Sequence, residues 1–315
     1  MENFWEKLQR PISASAPMAG VSDAAMRAML AKHGGPDVIW TEMISLAGLA
    51  IRGESEFENE MILSEEEHPV VFQFFGSRPE EFSICGRIAK ERGADGIDIN
   101  MGCPDKGVEK QGAGACIIKS PALAKEIISA AKESSKGLPV SVKTRVGYAS
   151  DKEMENWITA LAEDRPEAIT IHGRTRAERR KGKANWNRIK EAGKLIKEIS
   201  PKTVILGNGD VKSKEEGERL AEKSDIDGYM VGRALIGNPW FFSGERASKE
   251  ERIAAAEEHV KLFRELLGKT ESFDTVKKHL AGYISGFSGA RELKIKLMKA
   301  KKADEAVLLI SNFTS

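Results

Sequence analysis

Cysteine is scarce in this 315-residue sequence, standing only at positions 85, 103 and 116. An odd number with no Cys-X-X-Cys pair excludes a disulfide framework, and without a His-rich tract no metal site is expected. The pattern fits a reducing cytoplasm. Long apolar runs are missing too, so no segment approaches the ~20 residues needed to span a bilayer. The opening stretch MENFWEKLQRP carries Glu2, Glu6 and Lys7 where a secretory signal needs an apolar core. Charge of one sign is also missing: 49 Lys and Arg oppose 48 Asp and Glu, so the net charge of +1 names no partner. These absences leave a cytoplasmic protein without metal or membrane contact. Its hydrophobic content of 41% suffices for a sizeable core.

What is present is alternation. Short apolar runs recur at 12–20, 37–43, 69–76, 96–100, 139–147, 168–175, 203–210 and 228–234. Between them lie amphipathic stretches. SPALAKEIISAAKESS (120–135) has Pro121 at a first helical position, and SKEEGERLAEKS (213–224) has Ser213 as an N-cap with Glu216 placed to close a capping box. Strand then helix, eight times over, predicts a (β/α)₈ TIM barrel, an α/β fold. The rival doubly wound sheet is weakened because no GxGxxG follows the first strand. Beyond residue 245 the alternation stops. The stretches 251–270, 273–285 and 289–313 all read as helical, joined by turns at Gly268, Gly286 and Gly289. The expected organisation is a catalytic barrel over 1–245 and a small all-α domain over 246–315.

Barrel enzymes place their chemistry at the C-terminal ends of the strands. In chain order these ends present Pro17, Met18, Ala19 and Gly20, then Glu42, Gln73, and Asn100 with Cys103 beyond. Lys143 and Arg145, His172 and Arg174, Asn208-Gly209-Asp210, and Gly232-Arg233 follow. One such residue is ordinary where a strand meets water; eight in series point to an active site. The seventh and eighth loops suit a phosphate, with glycines allowing close backbone approach and Arg233 adding a cation. Lys143 and Arg145 share one strand face and suit an anionic ligand, either a flavin or an RNA phosphate. His172 fits either a ligand-orienting role or a structural one.

Cys85 and Cys116 sit in apolar sequence and read as packed side chains. Cys103 sits instead in DINMGCPDKGVEKQGAGA, a loop shaped by Gly102 and Pro104, three residues after Asn100. An ordinary thiol has a pKa near 8.5 and is mostly protonated at neutral pH. With no activating base in the local sequence, Cys103 suits a general acid better than a nucleophile.

The motifs APMAGVSD, VVFQFFGS, DINMGCPDKGV, VSVKTRVGY, TIHGRTRA, GNGDV and MVGRALIGNPWFF, with HLAGYISGFSGARELK near the end, resemble the series of the tRNA-dihydrouridine synthases, most closely the bacterial B-type branch. The resemblance implies an FMN flavoprotein that reduces the C5=C6 bond of a uridine in the tRNA D-loop with NADPH or NADH. It further implies that Pro17, Met18 and Ala19 contact the isoalloxazine, and that Gln73, Lys143 and His172 line it. Asn208, Gly209 and Asp210, with Gly232 and Arg233, would hold the ribityl phosphate. Cys103 would give a proton to C5 after hydride reaches C6, and Asn100 and Arg145 would help place the uracil.

The charge distribution agrees with an RNA partner. Residues 174–183 hold Arg174, Arg176, Arg179, Arg180, Lys181 and Lys183 against Glu178 alone, and residues 277–302 hold eight basic residues against Glu292. Two basic clusters in a neutral protein favour a phosphate-rich macromolecule, tRNA, with Arg174 and Arg176 expected to contact it. The protein is expected to act as a monomer. Two rivals remain: a flavin barrel acting on a free pyrimidine, as dihydroorotate dehydrogenase does, and a non-catalytic RNA-binding module.

Overall fold

The computed structural model describes residues 3–314. Eight parallel strands form one sheet: β1 (Ile12–Ser15), β2 (Ile39–Ser45), β3 (Val70–Phe75), β4 (Gly96–Asn100), β5 (Val140–Arg145), β6 (Ala168–His172), β7 (Val204–Asn208) and β8 (Gly228–Val231). Sequential neighbours pair from β2 to β8, and β8 pairs with β1. A bridge between Ala14 and Val38 joins β1 to the approach of β2, with Ser15 N–H donating to Val38 O at 3.1 Å, so the cylinder closes. Each expected strand is present at its expected place.

Side-chain alternation divides two apolar layers. Phe72 and Phe74 on β3 and Ile97 and Ile99 on β4 turn outward into a core shared with the surrounding helices. Val71, Trp40, Ala14, Leu206 and Met230 turn inward and fill the lower barrel, closed beneath by Trp5. Above this plug the inward positions become polar. β2 carries an irregularity between Trp40 and Met43, which seats Met43 beside Gln73 while Trp40 keeps Val71.

The helix Pro121–Ser134 begins on its proline, as its sequence predicts. At the helix Lys214–Ser224, Ser213 Oγ does accept from Glu216 N–H. The reciprocal half of the expected capping box is absent, because the Glu216 carboxylate accepts from Lys212 N–H at 2.8 Å instead.

Past residue 245 the chain forms helices Lys249–Leu266, Lys277–Tyr283, Ala290–Lys299 and Ala303–Thr314. The last predicted stretch is therefore two helices, since Ala300, with ψ of 141°, turns the chain before Ala303. These helices share an apolar cluster with Ala25, Met29 and Trp240 from the barrel's surface. Polar ties cross the same boundary: Lys278 Nζ donates to Gly20 O at 3.0 Å, and the His279 Nε2–H to Val21 O at 3.0 Å. No helix of the described residues is long and apolar enough to cross a membrane.

Candidate active site

The polar inward residues converge at the C-terminal mouth. Register sets Gln73 beside Asp98, Asn100 beside Lys143, Arg145 beside His172, and His172 beside Asn208. Lys143 and Arg145 do lie on one face of β5, while Thr144 between them points outward and accepts from Trp157 Nε1–H at 2.9 Å.

Lys143 is deeply placed. Among the described residues its ammonium donates one hydrogen bond, 3.3 Å to Asn208 Oδ1. Burial, and then the charge of Arg145, push its pKa down to about 8 against the pull of Asp98. Arg145 is buried as well and spends its guanidinium on backbone carbonyls: Gly102 O at 2.6 Å, Thr175 O at 3.2 Å and Arg179 O at 3.3 Å. It thereby clamps the Cys103 loop to the loop after β6. Burial also pushes its pKa down, to about 10, which leaves it charged at neutral pH.

His172 is held neutral, its pKa well below the ordinary imidazole value through burial and the charges of Arg145, Lys143, Arg174 and Arg233. Arg174 NH1 lies 3.3 Å from His172 Nε2. A guanidinium only donates, so Nε2 accepts and the ring proton sits on Nδ1.

Cys103 is half-buried and packs with Met43 against Phe75, Val108 and Ala113. Its backbone N–H donates to Asn100 Oδ1 at 2.9 Å, and its carbonyl accepts from Ala115 N–H at 3.0 Å. Burial raises the thiol pKa, and the Asp105 N–H and the Arg145 and Lys143 charges do not reverse the shift. The thiol is therefore protonated at neutral pH. Cys85 is fully buried, as its sequence suggests. Cys116 is only half-buried, its Sγ 3.6 Å from Glu109 O.

The β7 and β8 loops lie together. Gly209 has φ of 126°, and a Cβ there would meet Ala184 Cβ at 2.6 Å and His172 Cδ2 at 2.9 Å. A Cβ at Gly232 would meet Met18 Sδ at 3.3 Å, which puts the β1 loop against the β8 loop. The Asp210 carboxylate is engaged by Arg174 NH2 at 2.5 Å, Arg233 NH2 at 3.1 Å and Ala184 N–H at 2.8 Å. Burial alone would raise its pKa, but the Ala184 N–H and the two arginines hold it below the usual carboxylate value. Its side chain thus fixes the loop and the arginines, which leaves its backbone to meet an anion. Arg233 is exposed.

Two expected tRNA contacts are placed differently from a free basic rim. Arg174 is 2% exposed and braces its own loop through Lys181 O and Gly182 O. Arg176 pairs with Glu109 and lies over the Tyr148 ring, 5.1 Å from its centroid. The exposed cations of that loop are Arg179, Arg180, Lys181 and Lys183.

Sequence reasoning missed Asp98, Ser141 and Thr170. All three are buried inward-facing residues of the polar layer, and strand parity with Asn100, Lys143 and His172 would have found them. It named Glu42 only as a strand end. The Glu42 carboxylate accepts Gly20 N–H at 2.5 Å, and burial pushes its pKa up to about 7.

The site accommodates a large anionic, hydrogen-bonding group. Among the described residues it offers a half-buried ammonium without a carboxylate in contact, a Thr170 hydroxyl without a hydrogen-bond partner, and a glycine-lined cradle carrying Arg233. The family model described as "Dihydrouridine synthase (Dus)" matches residues 14–314. The chain is 37% identical to "Probable tRNA-dihydrouridine synthase 2" of Bacillus subtilis (strain 168), over 99% of this chain and 97% of that protein. It is 36% identical to "Probable tRNA-dihydrouridine synthase" of Staphylococcus aureus (strain Mu50), over 99% and 96%. Among solved structures, morphinone reductase aligns with a TM-score of 0.52 at 12% identity, over 74% of this chain and 84% of that one. Histamine dehydrogenase from Rhizobium sp. 4-9 aligns with a TM-score of 0.54 at 14% identity, over 79% of this chain and 48% of that one. These two attest the barrel fold alone.

Proposed function

Because the chain belongs to the dihydrouridine synthase family, whose members are oxidoreductases, we propose that it is an FMN-dependent tRNA-dihydrouridine synthase. It would reduce the C5=C6 bond of a uridine in the tRNA D-loop with electrons from NADPH or NADH. The observation that carries this reading is the pairing, at one barrel mouth, of a buried Arg145 and a half-buried Lys143 with a half-buried thiol whose pKa is raised. A cationic pocket suits a flavin that gains negative charge on reduction, and a protonated thiol suits delivery of one proton.

FMN, when bound, supplies the hydride that goes to C6 of the uracil. The chain's residues do the rest. Pro17, Met18 and Ala19 would line the ring, together with Lys143 and His172, the last neutral and free to donate from Nδ1. Gln73, expected from the sequence to line the ring as well, is fully buried with its amide committed to Asp98 and Asn100 and supports this layer from beneath. Asn208, Gly209, Asp210, Gly232 and Arg233 form the phosphate cradle, Asp210 through its backbone and through its hold on Arg233. Cys103 gives its proton to C5, with Arg145 holding the loop and Asn100 fixing the cysteine's backbone. Because the target uridine lies within folded RNA, it must be turned out of its stack to reach this mouth.

In this reading residues 1–245 are the catalytic barrel and residues 246–315 grip the tRNA backbone. The enzyme works as a cytoplasmic monomer. Incubating the purified protein with FMN, NADPH or NADH, and either D-loop-bearing tRNA or free pyrimidines tests the proposal by mass spectrometry. Dihydrouridine in the tRNA alone supports it. Reduction of free pyrimidine alone, or a protein that stays colourless after FMN is added, overturns it.

A further inference from the structure

Beneath the mouth, four side chains form a hydrogen-bonded line whose direction is set at one end. Asp98 on β4 is fully buried at the polar layer's base, and Ser141 Oγ donates to its Oδ1 at 2.6 Å. Gln73 Nε2 donates to Asp98 Oδ2 at 2.6 Å. Asn100 Nδ2 donates to Gln73 Oε1 at 2.8 Å. Asn100 Oδ1 then accepts the backbone N–H of Gly102 at 3.1 Å and of Cys103 at 2.9 Å.

An amide side chain has a donor end and an acceptor end, and either can face a neighbour unless something decides. Here an ionised carboxylate decides, because it can only accept. The Gln73 amine must face Asp98, so its carbonyl faces Asn100, so the Asn100 amine faces Gln73. Its carbonyl is thereby aimed at the two loop amides.

We propose that Asp98 is a positioning residue for the reduction of uridine: by fixing the polarity of the Gln73–Asn100 relay, it holds the Cys103 loop where the thiol must stand. The proposal rests on the reading of Cys103 as the proton donor. Asp98 contacts no reacting atom. Burial lifts its pKa to about 6, so the carboxylate is ionised, and its acceptor character intact, at neutral pH. Both cations of the mouth lean on the same arrangement: Lys143 lies near enough to stabilise the Asp98 charge, and Arg145 holds the carbonyl of Gly102 while Asn100 holds its N–H.

Reciprocal exchange of carboxylate and amide tests the direction of the line separately from its packing. Asp98→Asn is nearly isosteric but lets the relay invert, turning the Asn100 amine toward amides that also donate. Gln73→Glu alone faces one carboxylate with another. In the double variant D98N/Q73E the new amide at position 98 donates to the new carboxylate at position 73. That carboxylate in turn accepts from Asn100, and the native polarity returns.

In FMN-loaded protein, residue-resolved deuterium exchange at Gly102 and Cys103 is expected to quicken at least tenfold in D98N and in Q73E. In D98N/Q73E it is expected to return to within about threefold of wild type. Single-turnover oxidation of the reduced flavin by tRNA should slow at least tenfold in D98N, with reduction by NADPH changed less. Wild-type exchange in D98N, or a double variant no better than either single one, overturns the proposal. Should D98N lose its flavin, the double variant alone decides by the same criterion. Cys103→Ala, run alongside, separates the two ideas. If it keeps full turnover, the acid assignment fails. If it is inactive while D98N matches wild type, the relay fails alone.

Discussion

Replacing Cys103 with alanine removes one sulfur and leaves the loop's scaffold in place. The bonds that hold the loop use backbone atoms: the Cys103 N–H to Asn100, its carbonyl from Ala115 N–H, and Gly102 O to Arg145. The lost packing is one half-buried thiol against Phe75, Val108 and Ala113, comparable to a methylene, so stability should fall by about 1 kcal/mol. A general acid contributes roughly 10²–10⁴ in rate, or about 3–5 kcal/mol of barrier. The kinetic effect should therefore exceed the thermodynamic one severalfold. Anaerobic stopped-flow separates the half-reactions: reduction of bound flavin by NADPH should stay within about twofold, and its oxidation by tRNA should slow by about 10²–10⁴. Wild-type oxidation by both unmodified transcript and native tRNA would refute the proton-donor assignment. An equal fall in both half-reactions would make the cysteine a flavin-binding residue instead.

Three further perturbations address the cofactor cradle, the Lys143 ammonium and the RNA surface. Gly209→Ala places a Cβ 2.6 Å from Ala184 Cβ at φ of 126°, a conformation costing a side-chain-bearing residue about 1–3 kcal/mol. FMN affinity by fluorescence quenching should fall at least fivefold, with a lower Tm by calorimetry. Lys143 is charged below a pKa of about 8 and neutral above it, so wild-type affinity for FMN should weaken as pH rises through 8. Lys143→Gln should remain at the weaker level across that range, and a pH-independent wild type would contradict the assignment. Charge reversal at Lys294 and Lys296, on the helix Ala290–Lys299, should raise KM for tRNA steeply with salt while FMN affinity holds; unchanged tRNA affinity would reject that helix as an RNA surface.

The barrel was legible because its two periodicities are strong. Apolar runs of strand length alternate with amphipathic stretches, and Pro121 and Ser213 mark helix starts where the structure has them. What sequence did not reveal is how polar side chains choose partners across the fold. Glu216 was placed to bond its own N-cap, but Lys212 N–H lies within its reach and takes it. In a linear reading Arg174 and Arg176 count in the basic cluster after β6, and Lys277 and Lys278 in the basic cluster of the helical region. Folding gives each a partner: it buries Arg174 against Asp210, and it ties Arg176 to Glu109, Lys277 to Asp274 and Met298 O, and the still exposed Lys278 to Gly20 O. Local charge density counts cations but not the carboxylates and carbonyls that long-range packing brings to them. Asp98 was invisible for a related reason. It opens the motif DINMGCPDKGV but lies one layer below the strand end, and only its parity with Asn100 shows that it faces the barrel axis.

On the proposed function, the electrostatics of the mouth also explain how the Cys103 thiol would serve as an acid without reacting as a nucleophile. Burial, and then the charge of Asp105, destabilise the Cys103 thiolate, which keeps the proton in place. Lys143 and Arg145 act in the other sense, and their influence grows as a bound nucleobase displaces the remaining water and lowers the local dielectric. The site is thus arranged to hold the proton at rest and to stabilise the thiolate once the proton has gone. Asp98 supports the second half of that arrangement: its negative charge favours the Lys143 ammonium against the cost of its burial. Neutralising Asp98 would weaken Lys143 as a cation as well as freeing the loop. In D98N the pH at which FMN affinity weakens should therefore move below the wild-type value of about 8, a shift that a purely steric role for Asp98 would not produce.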